Sequence, residues 1–156
     1  MGVGLPQAMA ACAVYEGRRP VVAVMGDSAF GFSGMEFEVV CRYQMPIVVV
    51  ILNNNGIGSF NPESYYEQHS TQGDMQTRLR HPGKALSPRA HYEQLATAFG
   101  GDGYFVETAE QLELAVQTAF SGETWRPAII NCMIATDVVG KPKTNEAPPF
   151  APPAKL

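Results

Sequence analysis

The sequence predicts an α/β domain: a parallel sheet flanked by helices on both faces. Three observations point there. Short, largely apolar runs, Val21–Met25, Ile47–Leu52 and Pro127–Ile134, read as strands buried within a parallel sheet. Segments of helical period alternate with them and carry their own start and stop residues. The first two runs also end in polar residues, Gly26-Asp27-Ser28 and Asn53-Asn54-Asn55-Gly56. Ligands of open α/β sheets bind at that carboxyl edge.

The elements follow in order. Pro6 suits the first turn of a helix through Ala8, Ala11 and Val14, with Gly17 as its cap and Arg18-Arg19 compensating its dipole. Val21–Met25 is a buried strand that breaks at Gly26. Ser33-Gly34-Met35-Glu36 has the spacing of a capping box, which predicts a helix from there to about Tyr43. Pro46 stops it, and Ile47–Leu52 is the second buried strand. Together these segments make one right-handed βαβ unit.

From Ser59 to Pro88 the chain is polar and broken by Pro62, Gly73, Pro82 and Gly83, so a long loop is expected over 58–88. Its cations Arg78, Arg80, His81, Lys84 and Arg89 either face solvent, the favoured reading, or meet phosphate groups. A helix from about His91 to Phe99 comes next, then a short strand over Tyr104–Glu107. Thr108-Ala109-Glu110-Gln111 is a second capping box opening a helix through Ala119. Pro127–Ile134 is the last buried strand. Prolines and lysines dominate beyond Thr136, so the chain divides into a domain over 1–135 and an extended tail over 136–156.

Composition excludes several function classes. The chain has 156 residues, enough for one domain with a real core, and a formal net charge of −4, which argues against nucleic-acid binding. No apolar run is long enough for a membrane span, and no secretory signal is visible. Cys12, Cys41 and Cys132 lack metal-ligand spacing and read as buried reduced thiols, and His69, His81 and His91 have no partner spacing either.

The chemistry at the strand ends suits a diphosphate held through Mg²⁺. Magnesium takes hard oxygen ligands and binds one or two protein carboxylates plus phosphate oxygens. Asp27 supplies a carboxylate, Asn54 an amide oxygen and Gly56 a carbonyl. Gly26, Ser28 and Ala29 are small enough for backbone to approach phosphate closely.

Gly-Asp-Ser followed by Asn54-Asn55 resembles the thiamine diphosphate motif of the thiamine-dependent enzymes. The wording Gly26-Asp27-Ser28-Ala29-Phe30-Gly31-Phe32-Ser33-Gly34-Met35-Glu36 is similar to the 2-hydroxyacyl-CoA lyase and oxalyl-CoA decarboxylase branch. His91-Tyr92-Glu93-Gln94 and Ala98–Val106 resemble the lyases more closely. The likeness covers Met1 to about Ile134, except 58–88.

The resemblance implies a Rossmann-like, three-layer thiamine diphosphate-binding domain. Asp27, Asn54 and the Gly56 carbonyl would hold Mg²⁺; Ser28 and Ala29 would bind the diphosphate beside Gly26; Ile57 would lie near the cofactor. Met1 stands where a loop methionine of the family props the bent cofactor, and a frayed terminus is the competing reading. Gly58 departs from an expected tyrosine, which puts that position's substrate role in doubt.

The implied reaction cleaves 2-hydroxyacyl-CoA to an aldehyde and formyl-CoA. The family's pyrimidine-activating glutamate lies in another domain, usually on a neighbouring subunit, and no glutamate here matches it. The chain is therefore expected to be the carboxyl-terminal piece of a longer, oligomeric enzyme, binding cofactor weakly and not turning over alone. Ala154-Lys155-Leu156 is a variant of the peroxisomal Ser-Lys-Leu address, the alternative compartment being the cytoplasm. Competing readings are oxalyl-CoA decarboxylase, an acetolactate-synthase-like enzyme, and a non-catalytic assembly fragment. A dinucleotide-binding domain ranks last, because no Gly-x-Gly-x-x-Gly follows Val24.

Overall fold

A computed structural model describes residues 1–58, 84–122 and 124–136. Arg78, Arg80, His81 and His69, most of the 58–88 loop, and the tail with its Ala154-Lys155-Leu156 address lie outside the described residues. Four strands, β1 (Val21–Gly26), β2 (Ile47–Asn53), β3 (Asp102–Val106) and β4 (Ala128–Met133), form one sheet in the order β1-β2-β4-β3. Every pairing is parallel. The helices are α1 (Gly4–Val14), α2 (Asp27–Gly31), α3 (Phe37–Arg42), α4 (Gln94–Ala98) and α5 (Ala109–Ala119), with a 3₁₀ turn at Gly34–Glu36. Among the described residues no helix is long and apolar enough to cross a membrane.

Alternation along β2 sends its side chains to two cores. Ile47, Val49 and Ile51 pack with Ile129 against Leu5, Ala8 and Cys12 of α1, Phe37 and Val40 of α3, and Ala96 of α4. Val48 faces the other way, with Ile130 and Val106, against Ala115 and Ala119 of α5. Helices thus lie on both faces, as the sequence predicts. Cys12 and Cys41 are buried and Cys132 partly so, all three unpaired, and burial pushes each thiol's pKa up.

Five local expectations are corrected. β1 is an edge strand and only half-buried: Val22 and Val24 are 51% and 62% exposed, because α5 covers the opposite end of that face. Ser33 does not cap a helix. The chain enters it from α2, which already begins at Asp27; Ser33 has φ −138° and ψ 13°, away from the extended N-cap conformation. Its carbonyl, not its hydroxyl, accepts the Glu36 N–H at 2.9 Å, and its buried Oγ has no hydrogen-bond partner.

At the end of α1, Glu16 rather than Gly17 takes the C′ position, with φ 53°. The Glu16 N–H bonds the Ala13 carbonyl and the Gly17 N–H bonds the Cys12 carbonyl, both at 3.0 Å, completing a Schellman motif. The 91–99 helix is a single short helix, α4, and β3 begins at Asp102, two residues before the predicted start. The second capping box forms in part: Thr108 Oγ1 caps the helix by accepting the Gln111 N–H at 3.2 Å, but Gln111 Oε1 accepts the Glu107 N–H at 2.8 Å rather than that of Thr108.

Candidate cofactor site at the carboxyl edge of the sheet

β1 and β2 lie in register, so Gly26 stands beside Leu52 and both strands deliver their next residues to one edge. Asp27 follows β1 directly and opens α2. Its carboxylate is buried, at 1% exposure. Oδ1 accepts the Ser28 N–H at 2.7 Å, and Oδ2 accepts the Gly56 N–H at 3.1 Å. One side chain thus ties the end of β1 to the turn after β2.

That turn is held from below. Asn53 Oδ1 accepts the Asn55 N–H at 3.1 Å, an Asx turn, and Asn55 takes φ 62°, a left-handed conformation asparagine tolerates. The chain then returns from its long loop to pair with it. The Ile57 N–H bonds the Lys84 carbonyl at 2.9 Å, and the Leu86 N–H bonds the Asn55 carbonyl at 3.1 Å. Asn55 Oδ1 accepts the Arg89 N–H at 2.6 Å.

All eight residues singled out from the sequence, Met1, Gly26, Asp27, Ser28, Ala29, Asn54, Gly56 and Ile57, line one cleft of about 290 Å³. Leu52, Gly58 and Ile134 add to its wall. Met1 lies against Ser28, whose Oγ is 3.5 Å from the Met1 sulfur. A second depression, beside Trp125, Gln44 and Pro46, is larger at about 480 Å³, but it sits at the amino ends of the strands. A third, about 370 Å³, lies between β3 and α5. Of these three, among the described residues, the 290 Å³ cleft alone combines the carboxyl edge with a buried carboxylate.

The donor set fits a hard cation and an anionic ligand. Each Asp27 oxygen accepts one N–H and keeps a second lone pair for a metal. Burial pushes the Asp27 carboxyl above the usual carboxylate range, and the backbone N–H groups partly oppose this. A nearby cation would relieve that cost. The Asn54 amide nitrogen is committed to the Gly58 carbonyl, so its oxygen is the end a cation would use. Among the described residues no three His, Cys, Asp or Glu side chains cluster as a metal site, so any cation here relies on amide, carbonyl and ligand oxygens.

Gly26 supplies a second test of fit. It has φ −74°, open to any residue, and a Cβ there would meet nothing closer than the Leu52 carbonyl oxygen at 4.0 Å. Packing within the protein does not require glycine here; a ligand drawn against the backbone would. Gly26→Ala is expected to leave the urea midpoint nearly unchanged while weakening cofactor affinity at least about tenfold, the effect of ~1.4 kcal/mol of lost contact.

Several details were not visible in the sequence. Ser28 offers its hydroxyl rather than its N–H, which Asp27 occupies. Arg89 pairs with Glu107 at 2.8 Å in an exposed ion pair and lies over Phe105, 5.4 Å from the ring centre. Gly58 takes φ 70°, which a tyrosine rarely adopts. The sequence reading also passed over Glu93 and Asn131. The signal for Asn131 was a lone amide inside the apolar run Ile129–Met133.

The family model described as "Thiamine pyrophosphate enzyme, C-terminal TPP binding domain" matches residues 1–132. The chain belongs to this family. The TPP-binding domain is 44% identical to human 2-hydroxyacyl-CoA lyase 1 over 145 residues, covering 90% of this chain and 24% of that protein. It is 40% identical to the oxalyl-CoA decarboxylase of Escherichia coli K12 over 134 residues, 86% of this chain and 21% of the relative. Among solved structures, a thiamine diphosphate-dependent 4-hydroxybenzoylformate decarboxylase from Rhodococcus jostii superposes with a TM-score of 0.61 at 25% identity, over 88% of this chain and 23% of that one. The TPP-binding domain therefore spans about a quarter of the length of the relatives it matches.

Proposed function

We propose that this chain is the cofactor-binding portion of a thiamine diphosphate- and Mg²⁺-dependent carbon–carbon lyase that cleaves 2-hydroxyacyl-CoA to an aldehyde and formyl-CoA. The observation that carries the reading is the buried Asp27 carboxylate, bonded to Ser28 and Gly56 where β1 and β2 end. The choice of reaction is supported by similarity to proteins named 2-hydroxyacyl-CoA lyase at 44% and 46% identity.

Asp27, Asn54 Oδ1 and the Gly56 carbonyl hold Mg²⁺, which neutralises the diphosphate. The Ser28 hydroxyl and Ala29 face the phosphate oxygens, and Gly26 lets the backbone approach them. Leu52, Ile57 and Ile134 keep one wall of the cleft apolar and Met1 stands at its rim, which strengthens each charge interaction inside. When bound, the cofactor supplies a nucleophilic carbon and an electron sink for cleavage of the carbon–carbon bond. No glutamate of this chain matches the pyrimidine-activating one of the resemblance; that group would come from the remaining length of the enzyme or a neighbouring subunit, with acyl-CoA as the substrate.

The test is calorimetric titration of thiamine diphosphate into the chain with Mg²⁺ and with EDTA. Binding that requires Mg²⁺ is the expected result. Equal heats in both, or none with Mg²⁺, overturn this reading of the cleft. Oxalyl-CoA decarboxylation is the second reading, favoured by the 40% identity to that enzyme. A panel of acyl-CoAs, assayed on the complete enzyme, separates the two.

A further inference from the structure

Beneath the cleft lies a chain of buried polar groups that the cofactor reading does not use. Glu93, just before α4, is 6% exposed, and Asn53 and Asn131 are fully buried. Glu93 Oε1 lies 2.7 Å from His91 Nδ1, and Oε2 accepts from Asn131 Nδ2 at 2.8 Å. Asn131 Nδ2 also donates to the Ala90 carbonyl at 2.8 Å, so its Oδ1 is left to accept from Asn53 Nδ2, at 3.1 Å. Asn53 Nδ2 shares the Ala90 carbonyl at 3.2 Å, leaving Asn53 Oδ1 to accept the Asn55 N–H.

We propose that Glu93 is a positioning residue whose carboxylate fixes the orientation of Asn131 and Asn53 in series and so holds the Asn53–Gly56 turn in the shape that presents its oxygens to the cleft. The argument is one of polarity. A carboxylate and a carbonyl only accept, and a backbone N–H only donates. Glu93 and the Ala90 carbonyl at one end, and the Asn55 N–H at the other, admit a single orientation of both amides. Reversing either would set acceptor against acceptor in a buried site. The consequence for the turn is independent of any ligand; the consequence for cofactor affinity rests on the reading above.

Three variants test this by amide hydrogen exchange and by calorimetry with Mg²⁺ and thiamine diphosphate. In Glu93→Leu the Asn55 N–H is expected to lose protection at least about tenfold while Val49 and Ile129 in the sheet keep theirs, and cofactor affinity to fall about tenfold. In Glu93→Gln both properties are retained, because the amide oxygen can accept from Asn131 while its nitrogen faces His91. Asn131→Leu, close in size and set in an apolar strand, breaks the chain one link on and should reproduce the loss at Asn55. It answers the question if Glu93→Leu does not fold. Loss at Asn55 in a protein whose parent binds no cofactor upholds the positioning role and removes only the cofactor reading. Unchanged protection at Asn55, or a uniform loss across the sheet, overturns the proposal.

Discussion

Replacing Asp27 with alanine is expected to abolish Mg²⁺-dependent binding of thiamine diphosphate and to lower the stability of the cofactor-free chain. Two losses coincide. Among the described residues the proposed cation site would lose its one carboxylate, with only amide and carbonyl oxygens left. The Ser28 and Gly56 N–H groups also lose their acceptors, and a buried unpaired donor costs about 1–3 kcal/mol each. Calorimetry reads the first loss and a urea titration the second.

Asp27→Asn separates them. It keeps the volume and one acceptor oxygen, so its fold should suffer less while binding still fails. pH adds a signature. Burial raises the folded-state pKa of Asp27, so the native carboxyl holds its proton more tightly than the unfolded chain does. Asp27 therefore costs stability as pH rises from the ordinary carboxylate range through its raised value, and above that value the whole cost is present. The stability difference between wild type and Asp27→Asn should move in that direction across that window. Saturating Mg²⁺ with cofactor should flatten it.

Gly103→Ala is the second large effect, and it arises in packing rather than chemistry. A Cβ at Gly103 would run into the Glu93 carbonyl oxygen, with Thr97 Oγ1 at 3.0 Å and the Glu93 carbonyl carbon at 3.1 Å. The closest atoms are Glu93 backbone, which has little to give, so β3 and the start of α4 must separate. Overpacking of this kind costs about 1–3 kcal/mol, against a total of order 5–15 kcal/mol for a domain. The urea midpoint should fall accordingly. The displaced segment contains Glu93, so cofactor affinity should fall with it, unlike in Gly26→Ala.

Most of the candidate site was legible because its residues sit where a period changes. An apolar strand ending in Asp27, and another ending in Asn54 and Gly56, mark the edge of a sheet before any coordinates are known. What stayed hidden depends on distant segments. Nothing local says that the Gly56 N–H reaches Asp27, or that Ala85 pairs opposite Gly56. Asn131 and Glu93 are separated in sequence by two helices and a strand, and the placing of β4 between β2 and β3 brings them together. The Ser33 box misled for a related reason. Its spacing is right, but α2 reaches that point first and sets a backbone that the hydroxyl cannot cap.

The half-bare β1 also has a colloidal consequence. Among the described residues no strand pairs with the outer side of β1, and Val22 and Val24 place apolar surface beside that edge, a combination that favours pairing with a copy of itself. Only charge opposes the approach, and the chain carries little, with a sequence pI near 5.3. Mildly acidic buffer removes that repulsion and leaves the stripe dominant, so the preparation should precipitate most readily there and keep best well above neutrality in low salt.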